Sequence, residues 1–299
     1  MFKYQSRTDF IDELIEINSK NEHFDQQIRN YKNIKTNHIN LKKYHSSIGK
    51  PTGEYFSITF ESLHDKNERE SLEKVIAKNL RILFEKYNID DTKKVLVVGM
   101  GNQNITPDAL GPKSIENLII TNHLFEDGHI KESSSVRRVC AISPGVMGTT
   151  GMETSDIIYA INKQLKPDLV ICIDALATKS IKRVNRAIQI SDTGISPGSG
   201  IGNHRKRIDY KTLKCPVITI GVATVIDSLN LFYELIYECS DILKVNLSKQ
   251  KIKKMNTYLL DEKINLIVTP KEIDEDINNL SEVISSALNI ALHNNFKNI

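Results

Sequence analysis

The chain has no long apolar run. No window approaches the roughly 18 consecutive apolar residues of a membrane span. Its start, MFKYQSRTDFIDELIEI, lacks the charged segment and uninterrupted apolar stretch of a secretory signal. Both absences predict a cytoplasmic protein with no membrane partner. Cysteine is scarce: Cys140, Cys172, Cys215 and Cys239 are widely spaced, none lies in C-x-x-C, and two sit in the apolar runs VCAI and LVICI. Buried free thiols are therefore expected rather than disulfides or a metal site. A surplus of one charge is also missing. Forty Lys and Arg against 37 Asp and Glu leave a net charge of +3, too little for the basic surface of a dedicated nucleic-acid binder, so no stable nucleic-acid partner is expected. There is no H-E-x-x-H, and His123, His129 and His204 are spaced in ways that predict no shared metal-binding face. G-x-S-x-G is absent, which sets serine catalysis aside. No internal repeat or low-complexity linker divides the 299 residues, whose 40% hydrophobic content suits one domain with a sizeable core.

What is present is an α/β pattern. The apolar runs VLVVG (95 to 99), VCAI (139 to 142), LVICID (169 to 174) and PVITIG (216 to 221) alternate with the helical segments GPKSIENLIITNHLF, ETSDIIYAINKQL and TVIDSLNLFYELIYE. Near-continuous Val, Ile, Leu and Cys imply strands covered on both faces, hence a mostly parallel central sheet between two layers of helices. Upstream, GEYFSITF reads as a strand, and SLEKVIAKNLRILFEKY puts Leu72, Val75, Ile76, Ile82 and Leu83 on one side of a helix. Residues from about 10 to 50 are polar and read as an irregular arm with a helix near Asp9 to Asn18. A strand over 265 to 269 and a helix from about Lys271 to Leu292 close the chain.

In open parallel sheets, ligands sit beyond the carboxyl ends of the strands. That rule selects Asp108, in the loop after VLVVG, and Asp174, which ends LVICID. Two carboxylates close together beside apolar strands cannot both ionise easily, so one keeps a proton, and such a pair can activate water and protonate a leaving amine. Capping is the competing reading: Asp108 on the helix near Pro112, Asp174 on a turn. Gly99-Met100-Gly101 begins like a dinucleotide fingerprint, but Asn104 stands where the third glycine belongs, and no cofactor is expected. The stretch PGSGIGNHRKR (197 to 207) reads either as an anion-binding nest or as a mobile loop with a solvated basic end. Asp192-Thr193-Gly194 matches the triplet of pepsin-like and retroviral proteases. Those enzymes need two triplets on β-rich lobes or subunits, and here there is one in an α/β chain. Asp192 is read instead as a turn residue ordering the glycine-rich loop, with Asn104 and Asn203 as further supporting positions.

The blocks GMGNQNITPDALGP, ISPGVMGTTGMETSDII, PDLVICIDALATKSIKRVNRAIQISDTGISPGSGIGNHRK, GVATVIDS and IVTPKEID resemble, in order, the bacterial spore germination protease family, endopeptidases that degrade small acid-soluble spore proteins. The resemblance implies an α/β enzyme similar to hydrogenase-maturation peptidases, with an atypical aspartate pair on Asp108 and Asp174. It also implies a zymogen that removes residues 1 to 9 by cutting between Asp9 and Phe10, a homo-oligomer (a tetramer), and a place in the forespore or spore core. An intact Met1 to Asp9 then reads as the precursor. Gln103 and Ala223 depart from the family pattern without removing a carboxylate. Two alternatives stay open. One is a metal-assisted processing peptidase; the other is a non-enzymatic module binding phosphate or nucleic acid through residues 197 to 207.

Overall fold

A computed structural model of the chain describes residues 8–17, 23–46, 48–131, 136–197, 206–244, 250–251, 254–255, 258 and 266–293. Its strands are β1 (Phe24–Tyr31), β2 (Ile34–Leu41), β3 (Gly53–Thr59), β4 (Val95–Gly99), β5 (Val139–Ile142), β6 (Leu169–Thr178), β7 (Ala187–Ser191), β8 (Val217–Asp227) and β9 (Ile267–Val268). Its helices are α1 (Ile11–Ile17), α2 (Lys66–Lys86), α3 (Leu110–Glu116), α4 (Asn122–Glu126), α5 (Met147–Thr150), α6 (Thr154–Leu165), α7 (Tyr210–Leu213), α8 (Ser228–Leu243) and α9 (Ile273–Leu292).

The strands join in the order β1-β2-β3-β7-β8-β6-β4-β5, with β9 against β8. The expected parallel sheet is the central unit β8-β6-β4-β5. Every other pairing is antiparallel, so the α/β sheet as a whole is mixed. Alternate residues of the central strands point to opposite faces. Val95, Val97, Ile171, Ile173 and Ile220 pack under α2 and α9, whose Leu72, Ile76, Leu83, Leu280 and Ile284 complete that core. Leu96, Val98, Val170, Cys172 and Val217 pack on the other face with Ile158 of α6 and Leu213 of α7. On α2, Leu72, Ile76 and Leu83 are buried as the spacing predicts, with Val75 and Ile82 half-buried beside them.

Several boundaries differ from the sequence reading, each for a tertiary reason. The arm from about 10 to 50 is not irregular. Its polar strands β1 and β2 form a hairpin around Lys32-Asn33, with Lys32 at φ 50°, and Ile39 and Leu41 pack against Ile11 and Ile15 of α1. The helix expected over GPKSIENLIITNHLF is broken into α3 and α4, because Ile119 N–H donates to Asn289 Oδ1 and Thr121 N–H to the Val139 carbonyl instead of continuing the helix. Strand β6 does not stop at Asp174 but runs on to Thr178, and β8 reaches Asp227, because the two stay paired, with a bulge after Leu176. All four cysteines are free, Cys172 and Cys215 buried and Cys140 and Cys239 partly so.

The central connections define where a ligand can sit. From β4 the chain goes to β5 on one side, then crosses to β6 on the other and on to β8. The strand order thus reverses between β4 and β6, and the crevice beyond their carboxyl ends is the topological switch point.

Candidate active site

Asp108 and Asp174 both reach that crevice. The register pairs Gly99, the last residue of β4, with Ile173, so Asp174 is the first residue of β6 beyond its neighbour's end. By strand alternation it shares a face with Val170 and Cys172, and its side chain is buried. The Cys172 thiol is pushed well above its ordinary value, mainly by burial and further by the Asp174 charge. Asp174 Oδ1 accepts from the Ala175 N–H at 3.0 Å. Asp108 ends the 3-10 turn Thr106–Asp108 after β4, and this turn packs against β6 and β8. Its Oδ2 accepts from the Asn102 N–H at 2.8 Å, which turns the carboxylate back toward the strand end. Helix α3 begins at Leu110 with Ala109 as its cap and no side-chain capping bond, so Asp108 is not a helix cap.

Glycines allow this approach. A Cβ on Gly101, at φ 113°, would lie 2.0 Å from the Asp108 carbonyl oxygen, and one on Gly111 would lie 2.2 Å from that of Met100. The Gly-Met-Gly run therefore serves close backbone packing in this turn. The two aspartates line one cavity of about 330 Å³, together with Asp9, Leu176, Ile195 and Thr224. The bulge after Leu176 leaves Thr224 between paired residues of β8, and its buried Oγ1 has no hydrogen-bond partner among the described residues.

The sequence-marked cut point lies at the same cavity. Asp9 N–H donates to the Ala177 carbonyl at 2.9 Å, and Ala177 N–H donates to Asp9 Oδ2 at 3.0 Å. Phe10 is fully buried against Leu176, Ala187 and Ala223, with the Arg183 guanidinium 4.5 Å from its ring centre.

The other marked positions stand apart from the pair. Asp192 Oδ1 accepts from Glu54 N–H at 2.8 Å, and its Oδ2 takes Lys86 Nζ at 2.6 Å and the Tyr87 hydroxyl at 2.8 Å. These bonds pin β7 to β3 and to the end of α2; the Asp192 carboxylate raises the Tyr87 pKa after burial, the larger cause. Asn104 is exposed, its N–H donating to Asn102 Oδ1 at 3.0 Å, and it does not line the cavity. Asn203, His204 and residues 198–205 of the glycine-rich stretch lie outside the described residues. No group of three or more His, Cys, Asp or Glu among the described residues is arranged to hold a metal ion.

Sequence reasoning missed Gln189, Lys50 and Thr224. Gln189 of β7 pairs with Gly221 of β8, which pairs with Asp174 of β6, so the three form one row across the sheet. Gln189 Nε2 donates to the Asp9 carbonyl at 3.1 Å and its Oε1 accepts from Ile11 N–H at 2.9 Å. Lys50 Nζ stands 3.9 Å from Asp9 Oδ1. Antiparallel pairing recruits Gln189 and a loop recruits Lys50, and neither leaves a local motif. The weak signal was β7 itself, whose AIQIS alternates in sequence.

The chain is 41% identical to the germination protease of Clostridium tetani over 277 residues, covering 87% of this chain and 85% of that one. It is 41% identical to that of Priestia megaterium over 296 residues, covering 83% and 80%, and 43% identical to that of Clostridium acetobutylicum over 263 residues, covering 82% and 80%. Among solved structures, a [NiFe] hydrogenase maturation protease, HycI from Thermococcus kodakarensis, aligns with a TM-score of 0.34 at 17% identity, covering 69% of this chain and 98% of that one. The family described as germination protease matches residues 10–238, and the chain belongs to that family.

Proposed function

We propose that this protein is an endopeptidase that starts the degradation of small acid-soluble spore proteins in germinating spores, with Asp108 and Asp174 as an atypical catalytic pair. Membership of the germination protease family supports a protease acting in spore germination. The observation that carries the aspartate pair is that both carboxylates, one from the turn after β4 and one from β6, line a single cavity at the switch point of the sheet. In this reading the pair holds one proton. The ionised carboxylate takes a proton from water as its oxygen attacks the scissile carbonyl, and the protonated one gives its proton to the leaving nitrogen as the C–N bond breaks. One proton is gained and one lost, so the pair is restored as a new carboxyl and a new amine leave.

The same reading makes residues 1 to 9 a propeptide, cut between Asp9 and Phe10. Asp9 lining the cavity of the two acids supports it. A homo-oligomer, read as a tetramer, is supported by apolar side chains left exposed on α8: Phe232, Leu235, Tyr237 and Ile242. Incubating the protein with a small acid-soluble spore protein at neutral and mildly acidic pH, then sequencing every fragment, tests the function. Fragments should begin just after an acidic residue, and the protein's own amino terminus should become Phe10. No new amino terminus at either pH would overturn the reading.

A further inference from the structure

The segment around Asp9 lies in the cleft as a bound peptide would. Asp9 closes a ring on one residue of β6, its N–H on the Ala177 carbonyl and its carboxylate on the Ala177 N–H. The Gln189 amide spans the next units, from the Asp9 carbonyl to the Ile11 N–H, and the Phe10 ring between them is enclosed by Leu176, Ala187 and Ala223 with the Arg183 guanidinium over it. Main chain and apolar side chain are thus accounted for.

The remaining recognition element is charge. Lys50, in the connection from β2 to β3, stands 3.9 Å from Asp9 Oδ1 with its side chain only 23% exposed. It shares a second cavity, of about 230 Å³, with Asp9, Tyr55, Gln189 and Arg207. Arg207 is engaged elsewhere, by Asp209 at 3.2 Å and by the carbonyls of Thr193 and Gly194. Burial is the main cause lowering the Lys50 pKa, Arg207 adds to it, and Asp9 opposes. An ammonium kept at this depth is costly without an anion beside it.

Resting on the reading of this cleft as a peptidase site, we propose that Lys50 determines specificity: its ammonium, with the Ala177 N–H, selects an acidic side chain on the amino side of the cut. Asp9 holds that position in the uncut chain.

Peptides identical except for Asp or Asn at the position of Asp9, given to the processed enzyme, measure the selection. The wild type should prefer Asp by about tenfold in kcat/KM, the worth of one partly buried ion pair. Lys50→Met should bring the ratio to within about threefold, and Lys50→Arg should keep most of it. A Lys50→Met enzyme that retains the preference overturns the assignment. Hydrogen exchange at the Asp9 amide, in full-length chain carrying Asp174→Asn, gives a readout without turnover: adding Lys50→Met should lower protection and Lys50→Arg should not, whereas unchanged protection in Lys50→Met counts against the proposal. The ratio compares substrates whatever group activates water. An active Asp108→Asn enzyme would therefore remove the acid pair and leave the assignment of Lys50 standing.

Discussion

Asp108 reaches the cavity because residue 101 carries no side chain. A methyl there would meet the Asp108 carbonyl oxygen at 2.0 Å, in a backbone conformation, φ 113°, that L residues rarely adopt. Gly101→Ala should therefore destabilise the protein by at least about 1–3 kcal/mol and displace the carboxylate. Thermal melting should fall together with proteolytic rate, and an unchanged rate in a folded variant would show that Asp108 tolerates displacement. Both aspartates were marked in the sequence, Asp174 ending the apolar run LVICID and Asp108 in the loop after VLVVG, and both line one cavity. Gln189 and Lys50 were not marked. Gln189 enters through a row built from β6, β8 and β7, three strands distant in sequence, and Lys50 through a loop that binds α1's leading segment. The Asp192 triplet was legible as a motif and served another end, tying β7 to β3 and α2.

At the scale of elements, α1 and its leading residues are anchored by Phe10. Phe10→Ala empties a fully enclosed site and should cost about 3–5 kcal/mol, read as a shift in the denaturation midpoint. Helix α9 ends on His293, buried beside Arg137 and Asp91, with its Nε2 3.3 Å from the Ile119 carbonyl. Burial, the largest cause, lowers its pKa below the ordinary 6.5, so the unfolded chain takes up the proton first as pH falls. Its contribution is fully present above about pH 6.5 and is lost as pH drops through that value toward the folded one. His293→Gln should make melting temperature less steep between pH 7 and 5; an equally steep profile would assign the acid limb to other groups. Strands β4, β6 and β8 were readable because burial on both faces leaves continuous apolar runs, and the edge strand β5, partly buried, keeps the same apolar character in VCAI. Strands β1 and β2 were not: β1 exposes nearly every residue and reads as polar chain, and its partner supplies the order.

At the scale of the molecule, the switch point between β4 and β6 follows from chain order once the parallel strands are known, whereas the antiparallel extension through β7, β3, β2 and β1 depends on pairings that no local pattern announces. Exposed Leu235 and Ile242 on α8 predict association. Light scattering should report several chains per particle, and Leu235→Glu with Ile242→Glu should reduce it toward one; a monomeric wild type would contradict that prediction. The proposed chemistry depends on two acids acting as one unit. The most direct measurement is kcat/KM on a small acid-soluble spore protein for Asp108→Asn, Asp174→Asn and the double variant, with circular dichroism to verify the fold. Each single variant should lose at least about a thousandfold, and the double should lose no more than either single, because a broken pair cannot be broken twice. Near-normal activity in either folded single variant would contradict the account.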